Sequence, residues 1–77
     1  MAEAKPLRLT ENRLRILRTA AGHKLGLVDR PYLLGFERVS WDRNARALVG
    51  AELLEDYRHG GYEITDAGRL RLAEAGG

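Results

Sequence analysis

The chain predicts a mainly α fold with a small β-hairpin, an α+β domain of three to four helices and a two-stranded turn unit. Three observations carry this. Segments 10–22 and 40–55 each open on a helix-capping side chain and then place apolar residues at helical spacing. The pair Gly60-Gly61 is flanked by residues that alternate apolar and polar, the signature of a tight hairpin. A further capping residue, Thr65, follows at once and opens a short last helix.

The elements follow in order. Residues 1–9, with Pro6 and alternating charges, read as a flexible N-terminal arm, and residues 10–77 as a single domain. In 10–22, Thr10 offers its hydroxyl to an unpaired first-turn N–H, and Glu11 suits the positive end of the helix dipole. Leu14, Leu17 and Ala21 share a face with Ile16 and Ala20 beside it, and Gly22 is placed to stop the helix. Segment 23–39 is punctuated by Gly26 and Pro31. Asp29 can cap a short helix that takes Pro31 in its first turn, turning Tyr32, Leu33, Leu34 and Phe36 inward. Leu25 to Val28 can instead form a short strand.

In 40–55, Ser40 is the expected cap and Asp42 sits at the positive end. Trp41, Ala45, Leu48, Val49 and Leu53 make the buried face, leaving Arg43, Asn44, Arg46, Ala47 and Gly50 outward. A two-residue turn at Gly60-Gly61 sets Arg58 opposite Glu63 and Tyr57 opposite Ile64, pairs worth roughly 0.2–1 kcal/mol each. A four-residue loop over 58–61 is the looser alternative. In the last helix, Leu70 with Ala73 or Leu72 is expected inward. Gly68 there implies close approach of another backbone, because glycine costs about 1 kcal/mol relative to alanine in a helix.

Length and composition bound the function. At 77 residues the chain buries only roughly 60% of its unfolded surface, so its core is thin. With no cysteine, neither a disulfide nor a thiolate metal site reinforces it, and oligomerisation is the remaining aid. The N-terminal residues lack the apolar run of a signal peptide and no segment has the composition of a membrane span, so a cytoplasmic protein without membrane contact is expected. No nucleophile with a base, no His-x-x-x-His pair and no glycine-rich phosphate loop occurs, so neither catalysis nor a cofactor or metal is expected. Residues 1–39 carry eight basic and four acidic side chains, a bias toward a polyanion, whereas 40–61 carry three and four.

The wing-to-helix piece Ile64-Thr65-Asp66-Ala67-Gly68-Arg69 resembles the Leu-Thr-x-x-Gly-Arg segment of winged helix-turn-helix domains of the MarR-like and PadR-like bacterial regulators. Leu34-Gly35-Phe36 is similar to the Leu-Gly-Val turn before their recognition helix. Leu53-Leu54 stands where that helix often closes on Gly-Leu-Val. The resemblance covers about residues 10–74. It departs at Glu52, where such domains carry glycine, at Arg30-Pro31, which interrupts the second helix, and at Glu55 and Asp56, which bring negative charge to the wing.

The resemblance implies double-stranded DNA as partner, with 40–54 in the major groove, in a transcriptional regulator or a phage or mobile-element accessory factor. Arginine bidentate to guanine and asparagine bidentate to adenine are the favoured base contacts, which selects Arg43, Asn44 and Arg46. Arg38 and Ser40 at the helix entry, with Arg58 and His59 at the wing tip, are candidates for phosphate or minor-groove contact. A homodimer would double those contacts. The competing expectation is a winged-helix module that binds a protein partner and no nucleic acid, favoured by the net negative 40–61 region.

Overall fold

A computed structural model of the chain describes residues 7–76. Residues 1–6 of the expected arm, and Gly77, lie outside the described residues. The elements run α1 (Glu11–Gly22), β1 (Leu27–Val28), α2 (Gly35–Gly50), β2 (Leu54–Asp56), β3 (Tyr62–Ile64) and α3 (Asp66–Glu74). The three strands form one antiparallel sheet in the order β1-β3-β2, so β1 joins the expected hairpin as a third strand. Helix α1 packs against both other helices and against β1 and β3. Ile16, Leu17 and Ala20 of α1 meet Ala45 and Leu48 of α2, Leu53, Leu54, Tyr62 and Ile64 near the sheet, and Leu72 of α3. The last residues of the expected arm are tied in. Leu7 and Leu9 pack against the core, and the Leu7 and Arg8 carbonyls accept from Arg71 Nη2 at 2.9 Å and Arg13 Nη1 at 2.8 Å.

Helix α1 starts as its sequence dictates, the Thr10 hydroxyl accepting from the Arg13 N–H at 3.4 Å. It ends at Gly22, but His23 is extended and no left-handed glycine closes it.

Segment 23–39 departs most from the helical expectation. Among the described residues no helix forms over 29–34, and the strand alternative is the one adopted, at Leu27–Val28. Tyr32 and Phe36, expected inward, are 88% and 93% exposed, Leu34 is exposed as well, and Leu33 is half-buried. The cause is geometric. Gly26 takes a φ of +73°, and its carbonyl accepts the Ile64 N–H at 2.8 Å, which commits the following residues to the edge of the sheet. Pro31 then has no donor with which to propagate a turn. Leu34 is extended and Gly35 is left-handed, and α2 begins there, five residues before Ser40. Ser40 is therefore not a cap but an exposed residue inside the helix.

Helix α2 closes at Gly50, not at Glu55. The closure is a Schellman motif: the Leu53 N–H reaches the Leu48 carbonyl at 2.9 Å and the Glu52 N–H reaches that of Val49 at 2.9 Å. Glu52 supplies the left-handed residue at φ 65°, in the place where the resembling domains carry glycine. Leu53 and Leu48, both buried, bracket the motif with apolar contact.

The hairpin register also differs. Leu54 faces Ile64, Glu55 faces Glu63 and Asp56 faces Tyr62, so Arg58–Glu63 and Tyr57–Ile64 do not pair. The turn is centred one residue earlier than expected: His59 and Gly60 take φ values of 58° and 79°, and the Gly61 N–H closes on the Arg58 carbonyl at 3.2 Å. Two consecutive positive φ values mark a primed turn, and histidine is among the residues that tolerate one. Tyr57 is the extra residue between ladder and turn, as in a bulge. Gly61 is extended and buried, with the Asp29 carboxylate where a Cβ would stand.

Helix α3 is seated by two residues. The Thr65 hydroxyl accepts the Gly68 N–H at 2.9 Å and donates to the Glu52 carbonyl at 2.7 Å, while the Thr65 N–H donates to the Leu53 carbonyl at 3.1 Å. A Cβ on Gly68 would overlap that same Leu53 carbonyl oxygen, so the close backbone approach expected of this glycine is present. Leu72 faces the core, and Leu70 and Ala73 face out.

Two outcomes follow for stability. Glu52→Gly should raise it by about 1 kcal/mol, because the left-handed conformation costs ~1–2 kcal/mol for an ordinary residue and glycine gives back part of that in chain entropy. Thermal denaturation should then move up by about 4–8 °C. Gly68→Ala should lower stability by at least ~1–3 kcal/mol, since the added methyl meets rigid backbone, measured in urea melts.

Candidate nucleic-acid interface

Helix α2 presents three faces along its length. Ala45 and Leu48 point into the core with Trp41 beside them. Trp41 is half-buried, its ring 6.0 Å from that of Tyr62, which fixes the middle of α2 against the sheet. The outward row is Phe36, Val39 and Arg43 at three- and four-residue spacing, with Gly50 two turns further on, all exposed. On its two flanks lie two concavities.

The first flank faces the β2–β3 turn. A cleft of about 700 Å³ is walled by Trp41, Asp42 and Arg46 of α2, by Leu27, Asp29 and Arg30, and by Tyr57 to Gly60 of the turn. It brings Arg46, Arg58 and His59 together, three of the residues that the sequence singles out. It also contains Arg30, which the sequence did not single out. The Arg30 Nη1 meets both carboxylate oxygens of Asp42, at 3.0 and 2.8 Å. These partners are twelve residues apart across an irregular loop, so no local pattern reveals the pair.

Charge within the cleft is partly spent. Arg46 Nη1 lies 2.6 Å from Asp56 of β2, an exposed pair. The neighbouring Tyr62 hydroxyl, and after it Asp56, hold the Arg46 guanidinium above its ordinary pKa. Across the ladder Glu55 faces Glu63, a like-charge pair that disfavours phosphate on the β2 side of the turn. Arg43 on the outward row and Arg58 on the turn have no ion-pair partner among the described residues. Arg38 is likewise exposed and unpaired among the described residues.

The second flank faces α1. Asn44, expected outward for adenine, is half-buried and accepts from Arg13 Nε at 3.0 Å, tying α2 to α1. Its position, one residue before the fully buried Ala45, turns it toward the neighbouring helix. Ser40 lies on the same flank, at the edge of a groove between α1 and α2. The candidate set thus divides: Arg46, Arg58 and His59 share the cleft, Arg43 stands next to it on the outward row, and Asn44 and Ser40 turn away.

Among the described residues no three His, Cys, Asp or Glu side chains gather as a metal-binding group, and no helix is long and apolar enough to cross a membrane. Comparison with family models, with curated proteins and with solved structures finds no match to this chain. What stands is a small α+β domain of three helices and a three-stranded antiparallel sheet among the described residues, with a mixed-charge cleft between α2 and the β2–β3 turn.

The Arg46–Asp56 pair is solvent-exposed, so Asp56→Asn should leave the midpoint of a urea melt close to that of the wild type. Asn44→Ala removes a half-buried acceptor that joins two helices and should cost more, about 1–2 kcal/mol in a urea melt.

Proposed function

We propose that this chain is a winged-helix-like DNA-binding protein that offers α2 and the β2–β3 turn to duplex DNA, in the service of transcriptional regulation or as a phage or mobile-element accessory factor. The observation that carries the reading is the shared cleft, in which Arg46 of the helix meets Arg58 and His59 of the turn although they are far apart in sequence. The resemblance of Ile64 to Arg69 assigns the roles, with α2 as reading helix and β2–β3 as wing. Arg43, exposed in mid-helix, is the candidate for bidentate contact with guanine, and Arg58 the candidate for a phosphate beside it. His59, left-handed at the tip, offers a ring N–H to the same backbone. Arg38 lies one turn before Asp42 and extends the basic edge.

On this reading Asp56 acts as an internal competitor. It occupies Arg46 in the free protein, and a phosphate would have to displace it. Few phosphates are engaged, so affinity for an arbitrary sequence is modest, and it falls with salt at a slope set by that small number of contacts.

A second reading has its own observation. Tyr32, Leu34, Phe36 and Val39 are exposed side by side along the entry to α2, and such apolar surface favours a protein partner.

Fluorescence anisotropy of the purified protein with mixed duplex DNA, at low and at near-physiological salt, separates the readings. The DNA reading predicts binding that weakens with salt and is lost in an Arg43→Ala/Arg46→Ala variant. Arg58→Ala should reduce the slope of log K against log salt by about 1 if it holds a phosphate, and Asp56→Asn should tighten binding. Absence of binding at low salt by folded protein gives the second reading precedence.

A further inference from the structure

The second flank of α2 carries a groove of about 530 Å³ that the DNA reading does not use. Its floor is Ile16, Val28 and Trp41, and Leu33 and Phe36 stand at its mouth. It exists because residues 29–34 pass over the surface without forming a helix that would fill it. The apolar side chains such a helix would have buried, Tyr32 and Phe36 foremost, project into solvent next to it. Knob and hole therefore sit on one face of one chain.

We infer that this groove is filled by a second copy of the same chain, with Phe36 and Tyr32 of each copy entering the groove of the other about a two-fold axis. Three features point to a second copy over an unrelated partner. A two-fold interface requires one patch to carry both halves of the contact, and this patch does. The area is adequate: Tyr32 and Phe36 would each bury ~150–200 Å². Leu34, Val39 and the groove walls bring the total toward the ~800 Å² per partner of a standard interface. The rim is also self-complementary in charge. Arg15 lies on the α1 wall and Glu37 on the α2 wall, neither in an ion pair among the described residues. Across the two-fold axis, Arg15 of each copy is matched to Glu37 of the other.

The inference is tested apart from the DNA reading, because the experiment contains no DNA, although Phe36 and Val39 share the outward row of α2 with Arg43 and the groove and cleft share Asp29 and Trp41. Such a dimer would also serve a core that is thin for its length.

Analytical ultracentrifugation of the purified chain over a range of concentrations is the experiment. A reversible dimer is expected for the wild type. Phe36→Asp, at a side chain outside the core, should weaken it by about 30-fold or more without altering the far-ultraviolet circular dichroism spectrum. Arg15→Glu and Glu37→Arg should each weaken self-association, because each brings like charges together. Mixed one to one, the two variants should form a heterodimer, because each charge then meets its opposite. The inference is overturned by a wild type that stays monomeric, which would leave the patch for a different protein. It is also overturned by a Phe36→Asp variant that dimerises as tightly, or by charge variants that pair no better mixed than alone.

Discussion

The fold turns on one small junction, where Thr65 and Gly68 at the start of α3 meet the carbonyls of Glu52 and Leu53 at the end of α2. Thr65 is engaged four times: its hydroxyl caps α3 and donates to Glu52, its N–H donates to Leu53, and its carbonyl accepts from the Arg69 N–H. Gly68 makes room, since any side chain there would collide with the Leu53 carbonyl. The junction links the last helix, the end of β3 and the Schellman turn that redirects the chain from α2 into β2. It thereby sets the hairpin against α2, and without that placement Arg46, Arg58 and His59 would not share a cleft. Conformational strain is accepted for it, in a glutamate held left-handed at position 52.

Much of this was legible in the sequence because the governing interactions are local. Thr10 and Thr65 each cap the helix they precede, since a hydroxyl three residues ahead of a free N–H needs no tertiary partner. Gly68 announced a close backbone contact because glycine in a helix otherwise only costs stability. The apolar spacing of 10–22 put Leu14, Leu17 and Ala21 on one face with Ile16 and Ala20 beside it; Ile16, Leu17 and Ala20 are buried, and Leu14 and Ala21 half-buried. Of the face read in 40–55, Ala45, Leu48 and Leu53 are buried and Trp41 and Val49 half-buried.

What was not legible depends on distant partners. Ser40 looks like a cap, but the start of α2 is set by Gly35, whose left-handed backbone carries no side-chain signal. Two adjacent glycines suggested the turn centre, yet Gly61 is extended against Asp29 and the histidine takes the left-handed position. The register followed, because β3 pairs with β1 as well as β2. Asn44 reads as outward on a helical wheel. Only the arrival of Arg13 from another helix makes it a tie.

The same division organises the surface. Helix α2 separates a polar, mixed-charge cleft walled by the β2–β3 turn from an apolar groove walled by α1, and the segment 27–33 contributes residues to both. The central claim is that the cleft side meets DNA. Titration of isotopically labelled protein with a short duplex at low salt, followed residue by residue through backbone amide resonances, tests it most directly. The account predicts shifts concentrated on Arg43, Arg46 and Arg58 to Gly60, with Asn12, Arg15 and Thr19 on the α1 wall of the groove unmoved. Shifts confined to the groove side, or none anywhere, would contradict it.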